Sequence, residues 1–416
     1  MRFFISFFLL LITSNSFAQL YFSRYDSVQV SEENGALDFP WAGGLNHPEF
    51  SNIDFDGDGR NDVFVFDKSG DKITCFRMNT QNQLEIAPRY RDMFTNQHGT
   101  SNRSLHGWVL LRDFNADGKS DIFTYSNGGI AIYRNDGNAD TLIFTLMTRK
   151  LLSDYGNGLI NIYVSPTDLP AIMDVDGDSD MDIVTFSLFG TSAEYHQNQS
   201  MELYGTPDSL TILLATPCWG NFAEDPSTIG VNLGVTCKGN ATAIPTTEAA
   251  AGSGVHSGFT MLGLDIEGDG DQDLLVSVLS FNAMNILIND GDANTANIGS
   301  QDPAFPANFN NTEAIDIYTF PAAFLVDVNN DGKDDIVASP YQENNGHNYE
   351  SAHLYENTSA TTAFDLGFVK NNFLQDEMIE MGTSAYPVFF DYDQDGLKDL
   401  MVGNKGYFVS SGVFSS

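Results

Sequence analysis

A nine-residue pattern of oxygen-bearing side chains recurs six times along the chain, and its first copy, Asp54–Asp62, reads DFDGDGRND. Oxygen-bearing side chains stand at positions 1, 3, 5 and 9 of every copy. Alternate residues of a tight loop point inward, so these side chains converge on one point. A backbone carbonyl at position 7 then completes the shell of several oxygens that Ca²⁺ prefers. The pattern therefore predicts a calcium site in each copy, whereas six metal-free acidic turns in identical register are the weaker interpretation.

Each copy supplies side-chain oxygens at positions 1, 3, 5 and 9 and the backbone carbonyl at position 7. Among the side-chain ligands only position 3 varies: two copies carry Asn, a neutral oxygen ligand, and the fourth carries Glu, a longer arm. The predicted metal residues are Asp54, Asp56, Asp58, Arg60, Asp62, Asp113, Asn115, Asp117, Lys119, Asp121, Asp174, Asp176, Asp178, Asp180, Asp182, Asp265, Glu267, Asp269, Asp271, Asp273, Asp327, Asn329, Asp331, Lys333, Asp335, Asp391, Asp393, Asp395, Leu397 and Asp399.

These loops differ from the EF-hand, which needs a bidentate Glu at position 12 and a helix on each side. Position 12 carries Val, Thr or Ala in all six copies. Each copy runs instead into a short apolar segment, such as Val63–Phe66 or Leu274–Val278. Such segments are too short for helices and are rich in β-branched and aromatic residues, so they predict buried strands. The loop is therefore expected to join two strands.

The loop is one part of a larger repeated module, whose loops start roughly 60 residues apart with one longer interval. A second strand, a turn and a third strand ending in Asn follow the loop, as at Asn135, Asn198, Asn289 and Asn357. Four-stranded modules with exposed faces are stable by stacking on copies of themselves. The predicted fold is therefore an all-β propeller of four-stranded antiparallel blades, with at least six modules visible and the last one incomplete.

The six D-x-[DNE]-x-D-x-x-x-D copies resemble FG-GAP/VCBS repeats, the calcium-binding units of integrin α-type β-propellers. The resemblance extends over residues 40–404. Three segments are similar to secreted Bacteroidota propellers: Pro40–Gly44 through Phe66-Asp67, Cys218–Gly220 and His256–Gly258. Those propellers typically end in a sorting domain for type IX secretion. We expect that such a domain is missing here because the chain is truncated at its C-terminus. The resemblance implies that the loop carboxylates bind calcium on one face of a propeller, about one ion for each loop.

Residues 1–18 form a predicted secretory signal peptide, because a short Phe/Leu/Ile run ends at Ser16-Phe17-Ala18. Residues 19–416 are assigned to the propeller, and later segments are too short for a transmembrane helix, so no membrane insertion is expected. The sixth module is incomplete, which favours a chain truncated at its C-terminus. Residues 21–30 resemble a fourth strand and are expected to complete the last blade and close the ring.

An insertion is predicted between the third and fourth loops, at about residues 199–258. It contains Cys218 and Cys237, and in an exported protein two such cysteines predict a disulfide. Closing a loop of this length contributes on the order of 3 kcal/mol. The remaining Cys75 lies in an apolar strand and is expected to be a buried, inert thiol.

The formal net charge of −37 excludes the basic surface that nucleic acid requires. Zinc-helix, nucleophile-elbow, phosphate-loop and dinucleotide motifs are absent from the sequence. We therefore expect a secreted or cell-surface protein that is not an enzyme and that binds an extracellular protein or glycan. A propeller-type polysaccharide lyase is the alternative, although only 19 Lys and Arg residues are present to neutralise a uronate. A structural spacer without a ligand is a third possibility.

Overall fold

The structure is a computed structural model that describes residues 24, 26–33, 35–95, 105–139, 141–187, 191–225, 227–236, 258–343, 346–410 and 413–415. The predicted signal peptide, residues 1–18, lies outside these ranges, as do Cys237 and most of the second half of the predicted insertion. The cleavage site and the Cys218–Cys237 disulfide therefore stay predictions.

Five antiparallel sheets, which we call blades 1 to 5, contain four consecutive strands each, and in each blade an acidic loop joins the first strand to the second. The strands of blade 1 are Pro48–Ile53, Asp62–Asp67, Lys72–Met78 and Leu84–Ile86. Those of blade 2 are Val109–Arg112, Asp121–Tyr125, Ile130–Asn135 and Phe144–Thr148. Those of blade 3 are Ala171–Met173, Asp182–Phe186, Ala193–Asn198 and Ile212–Thr216. Those of blade 4 are Phe259–Leu264, Asp273–Val278, Asn285–Asn289 and Ile298–Asp302. Those of blade 5 are Pro321–Val326, Asp335–Pro340, His353–Asn357 and Leu366–Lys370.

The strands form where the apolar runs predict them. Each second strand lies between other layers of the structure and is buried on both faces. Asp62–Asp67, with the sequence DVFVFD, is buried at every position. Burial on both faces explains why these strands are continuous apolar runs and do not alternate with polar residues. The architecture is the predicted all-β propeller.

The ring closes between blade 5 and blade 1, whose first strands pack side by side. Asn52 joins them: its Nδ2 donates to the carbonyl of Asp327 (3.2 Å), and its Oδ1 accepts from the Asp327 amide (2.7 Å). The Ser339 hydroxyl of blade 5 also donates to the Pro48 carbonyl (2.6 Å). The expected closure by residues 21–30 is wrong, because residues 26–30 form no strand and blades 1 and 5 meet directly.

The sixth repeat does not form a blade, so the expectation of at least six modules is not confirmed. Its loop joins Tyr386–Phe390 to Asp399–Gly403 in a two-stranded hairpin outside the five-blade ring. Tyr386 and Tyr392 are 73% and 71% exposed. The next strands, Tyr407–Ser410 and Val413–Ser415, pair with each other.

Large aromatic side chains fill the spaces between neighbouring blades. Between blades 1 and 2, Phe55 stacks on Tyr90 with ring centroids 4.7 Å apart, and both rings are almost fully buried. Between blades 3 and 4, the centroids of Phe186 and Phe259 are 4.1 Å apart. Burying a side chain of this size contributes about 1.5–3 kcal/mol, so stacking of blades stabilises the ring, as the repeated module predicts.

The predicted insertion includes the fourth strand of blade 3, Ile212–Thr216, because residues 199–211 are a short excursion between two neighbouring strands. The Leu152–Asp154 and Leu159–Asn161 hairpin adds to this strand, so the blade 3 sheet has six strands. The remaining elements are the helices Arg91–Thr95, Ser200–Tyr204 and Ala307–Asn310, the 3₁₀ turns Trp219–Asn221 and Gln375–Glu377, and the paired strands Ser31–Glu32 with Gly35–Ala36 and Phe222–Glu224 with Val231–Leu233.

Cys75 is buried in blade 1 as a free thiol, and burial raises its pKa well above the ordinary range. A thiol that stays protonated is a poor nucleophile, in agreement with the predicted inert role. Within the described ranges, the helices are too short or too polar to cross a membrane.

Candidate metal centres

The carboxylate at position 1 shapes each loop by accepting hydrogen bonds from the loop backbone. In the first loop, Asp54 accepts from the amides of Gly57 (2.7 Å) and Gly59 (2.9 Å). The loop reaches this geometry because Gly57 and Gly59 have φ values of +70° and +81°, a region that side chains with a Cβ rarely adopt. Asp174 and Asp265 accept the same bonds in the third and fourth loops.

The carboxylate at position 9 connects the loop to the third strand of its blade. Asp121 accepts from the Phe114 amide (3.0 Å) at position 2 and from the Asn135 amide (2.7 Å) at the end of the third strand. The same pair of bonds occurs in all five blades, and the recurring Asn at the strand end is its partner in four of them. Position 9 is thus a structural residue as well as a predicted ligand.

The predicted ligands converge in the first, third and sixth loops. Carboxylate oxygens lie within 4.8 Å of one another in three groups that each belong to one loop: Asp54, Asp56 and Asp58; Asp174, Asp176 and Asp182; and Asp391, Asp393 and Asp399. Buried oxygens of Asp56, Asp176 and Asp178 have no hydrogen-bond partner. Buried carboxylate oxygens without donors are destabilising unless a cation accompanies them. The residues of these loops therefore fit a bound calcium ion.

The other three loops do not bring three acidic groups together within the described part of the chain. Asn115 and Asn329 stand at position 3 of the second and fifth loops, and a buried amide oxygen of Asn115 has no partner. Asn329 donates to Glu356 (2.8 Å). In the fourth loop the side chain of Glu267 is exposed. These three loops keep the same backbone hydrogen bonds, but fewer of their carboxylates converge on one point.

The residue at position 7 differs in charge from loop to loop. Arg60, Lys119 and Lys333 form ion pairs with the position 5 carboxylates of their own loops, at 2.6, 3.3 and 3.1 Å. The third and fourth loops carry Asp180 and Asp271 instead, and both side chains have a buried oxygen without a partner. The third and fourth loops therefore have the greatest excess of negative charge.

Residues outside the repeat add to the third loop and were not predicted from the sequence. Glu202, in the helix Ser200–Tyr204, lies within 4.8 Å of Asp176 and Asp178. Gln197 donates to Asp176 (2.5 Å) and to Glu202 (2.6 Å). Neither residue belongs to the nine-residue pattern, and only the folded blade brings them to the loop.

Burial raises the pKa of the position 9 carboxyl groups. Desolvation raises the pKa of Asp182 to about 8, of Asp62 and Asp273 to about 7, and of Asp121 and Asp335 to about 6, although the two backbone hydrogen bonds act in the opposite direction. The neighbouring loop carboxylates raise these pKa values further. A cation in the loop would oppose both effects, since positive charge favours the ionised carboxylate.

A second group of buried charges lies at the axis, where the first strands begin and the second strands end. Lys68 is 5% exposed; its Nζ lies 3.4 Å from the centroid of the Tyr341 ring, donates to the Pro166 carbonyl (3.1 Å) and lies 4.0 Å from Glu49 Oε1. The other Glu49 oxygen accepts from the Val109 amide (2.6 Å). These contacts join blade 1 to blades 2 and 5 and to the segment that precedes blade 3.

Comparison with known proteins supports the repeat assignment. A family model described as "FG-GAP-like repeat" matches residues 113–185 and 327–402. These stretches contain the second, third, fifth and sixth acidic loops, so the chain carries FG-GAP-like repeats in a β-propeller arrangement. No curated protein sequence matches the chain.

Three solved structures are similar at low identity. One shows recognition of non-reducing terminal N-acetylglucosamine by an Agrocybe aegerita lectin (TM-score 0.34, 16% identity, 86% of this chain and 74% of that chain). Another is AofleA from Arthrobotrys oligospora (TM-score 0.34, 10% identity, 82% and 92%). The third is a chain of TcdB2-TccC3-Cdc42 (TM-score 0.33, 14% identity, 72% of this chain and 14% of that chain). Because these TM-scores are low, the fold assignment rests on the strand order given above and not on these structures.

Proposed function

We propose that the protein is a secreted or cell-surface β-propeller that binds about one calcium ion for each acidic loop and acts as a non-catalytic binding module for an extracellular protein or glycan. The observation that carries the calcium part is the convergence of three carboxylates within 4.8 Å in loops whose buried oxygens lack partners. The FG-GAP-like repeats at residues 113–185 and 327–402 support the same proposal.

Calcium has a structural role in this proposal. Without a cation, each loop holds several carboxylates close together, and their repulsion opposes the loop geometry. Extracellular modules bind calcium with dissociation constants of roughly 10⁻⁴–10⁻³ M. At free calcium ten times that constant, each site stabilises the fold by about 1.4 kcal/mol. Several sites together reach the size of the whole stability of a domain.

Thermal unfolding with calcium and after chelation, together with bound metal counted by native mass spectrometry, tests the calcium part. We expect several bound ions and a large fall in melting temperature after chelation. The binding part is tested separately by screening glycans and matrix proteins against the calcium-loaded chain. Absence of bound metal with an unchanged melt would contradict the first part, and absence of any ligand would contradict the second.

Incubation with pectin or alginate tests the absence of lyase activity. We expect no unsaturated uronide, because the acidic loops and the −37 net charge disfavour a polyanionic substrate. Formation of such a product would favour the enzyme over the binding module.

A further inference from the structure

A cavity of about 370 Å³ lies between blades 3 and 4, beside the third acidic loop. Its wall includes Gln197 and Thr216 of blade 3, Trp219 and Asn221 of the following turn, and Ala293 in the turn between the third and fourth strands of blade 4. The volume is at the lower end of the roughly 300–1,000 Å³ that ligand pockets occupy. The cavity therefore has room for one small ring, with any larger ligand extending into solvent.

The charge of the wall restricts the class of ligand. Among the described residues of the lining, Lys, Arg and His are absent, and Asp176 is the one charged residue. Asp176 is a predicted calcium ligand of the third loop, and the described lining offers no basic side chain that could pair with an anionic ligand. Most of the remaining polar side chains are amides and hydroxyls, which both donate and accept hydrogen bonds. This combination fits a neutral ligand with several hydroxyl groups.

Trp219 supplies an aromatic side chain to the wall and is 3% exposed. Its apolar ring, together with the methyl group of Ala293, offers a surface for the C–H face of a sugar.

The turn that carries these residues is held in place before any ligand binds. Gly220 has a φ of +68°, and a Cβ at this position would lie 2.7 Å from Ile298. The Asn221 amide donates to Asn297 of blade 4 (3.2 Å), and the Cys218 amide donates to Thr216 (3.1 Å). A preformed site loses less conformational freedom on binding.

We propose that this cavity binds one neutral sugar residue of a glycan, with the amides of Gln197 and Asn221 facing its hydroxyl groups and Trp219 lining the wall. The inference rests on the proposed binding function and names its ligand class and its site. Charged sugars, such as uronates, are expected to bind less well because no basic side chain is present in the described lining.

The experiment measures binding of neutral monosaccharides (glucose, galactose, mannose and their N-acetylated amino forms) to the calcium-loaded chain by calorimetry. Asn221→Gly removes one amide without straining the backbone, because Asn221 has a φ of +54°. Ala293→Trp fills the cavity from a half-exposed turn. The matched controls are Asn82→Gly, at an exposed Asn with a φ of +55° in blade 1, and Ala360→Trp, at an exposed Ala in blade 5.

We expect at least one neutral sugar to bind the native chain and both controls equally, with Asn221→Gly weakening binding about tenfold and Ala293→Trp abolishing it. Equal melting temperatures of the four variants would show that folding is retained. A sugar that binds the Ala293→Trp variant as it binds the native chain overturns this site while leaving the binding function in place. Binding of a protein ligand without any neutral sugar overturns the ligand class, whereas the absence of every ligand contradicts the proposed function itself.

Discussion

At the scale of single residues, the third loop combines the features that favour a cation. Asp176 belongs to two groups of converging carboxylates, one within the loop and one that includes Glu202. Position 7 carries Asp180, whereas Arg60 and Lys119 neutralise the corresponding loops of blades 1 and 2. Negative charge without a nearby basic side chain strengthens attraction for a divalent ion. We therefore expect the third loop to bind calcium more tightly than the first and second.

Substitution of Asp176 tests this ranking. Asp176→Asn removes a charge from both groups with little change of shape, so we expect the loss of one calcium ion and about 1–2 kcal/mol of stability at millimolar calcium. Native mass spectrometry and calcium-dependent melting measure the two effects. Asp208→Asn, at an exposed carboxylate in the excursion of blade 3, is the control. An unchanged ion count in the Asp176→Asn variant would contradict the assignment.

The buried carboxyl groups at position 9 make calcium binding dependent on pH. Burial raises the pKa of Asp182 to about 8 and of Asp62 to about 7. In the metal-free chain a raised pKa stabilises the folded state at low pH, and this contribution is lost as pH rises from the unfolded value of roughly 3.9 through the folded values. Calcium needs the ionised form, so protons and calcium compete.

We therefore expect calcium affinity to fall at least tenfold between pH 8 and pH 5.5, with release of protons on binding near neutral pH. Calorimetry in buffers of different ionisation enthalpy measures the protons released. The melting temperature of the chelated protein is expected to change in the opposite direction and to rise as pH falls from 8 to 6. An affinity that is independent of pH over this range would show that these carboxyl groups do not titrate with calcium.

At the scale of elements, the sequence predicts the parts that local patterns determine. The acidic loops, the buried second strands and the Asn at the end of the third strand all follow from spacing and composition. The apolar run Thr141–Leu146 by itself predicts a fourth strand for blade 2, and the structure has that strand at Phe144–Thr148. The shift occurs at an outer strand, where burial is weaker and the pattern less distinct. Glu202 could not be predicted as part of the third site because it reaches the loop from a helix outside the repeat.

The number of blades could not be read from the loops alone. The loop of the sixth repeat has the same internal bonds as the others: Gly396 donates to Asp391 and Tyr392 donates to Asp399. These bonds lie within one loop and form whether or not a blade does. Whether a repeat becomes a blade of the ring depends on contacts between strands that are distant in the sequence. Blades 1 and 5 already make such contacts with each other through Asn52 and Asp327.

Asn52 therefore tests ring closure. Asn52→Ala removes three hydrogen bonds, two to the backbone of Asp327 and one to the carbonyl of Asp62. We expect a loss of about 2–3 kcal/mol in the free energy of unfolding. Hydrogen exchange is expected to increase in the first strands of blades 1 and 5 before the other blades.

The control for ring closure is Asn308→Ala, because among the described residues this exposed side chain donates to the nearby Asp302 of blade 4 and to no other blade. It is expected to change the free energy of unfolding by less than about 0.5 kcal/mol. Faster exchange spread evenly over all five blades in the Asn52→Ala variant would contradict a closure localised between blades 1 and 5.

At the scale of the whole molecule, the axial charges connect blades that are far apart in the sequence. Lys68 contacts Tyr341 of blade 5 and the Pro166 carbonyl that precedes blade 3, while Glu49 accepts from Val109 of blade 2. Burial lowers the pKa of the Lys68 ammonium group and raises that of the Glu49 carboxyl group, while the charge of each group opposes the shift of the other. Both changes reflect the cost of charge in this environment, and the attraction between the two groups partly offsets it.

A double-mutant cycle separates the contribution of the pair from the cost of leaving one charge alone. Lys68→Met keeps the length of the side chain but leaves Glu49 without its cation, so we expect a loss of about 3–5 kcal/mol at pH 7. Glu49→Gln keeps the acceptor for the Val109 amide. In the double variant neither buried charge remains, and we expect it to be more stable than Lys68→Met alone by at least about 1 kcal/mol. Urea unfolding in saturating calcium measures all four free energies. Losses that simply add would show that the two groups act independently, and that Lys68 joins the blades through Tyr341 and Pro166 without a contribution from Glu49.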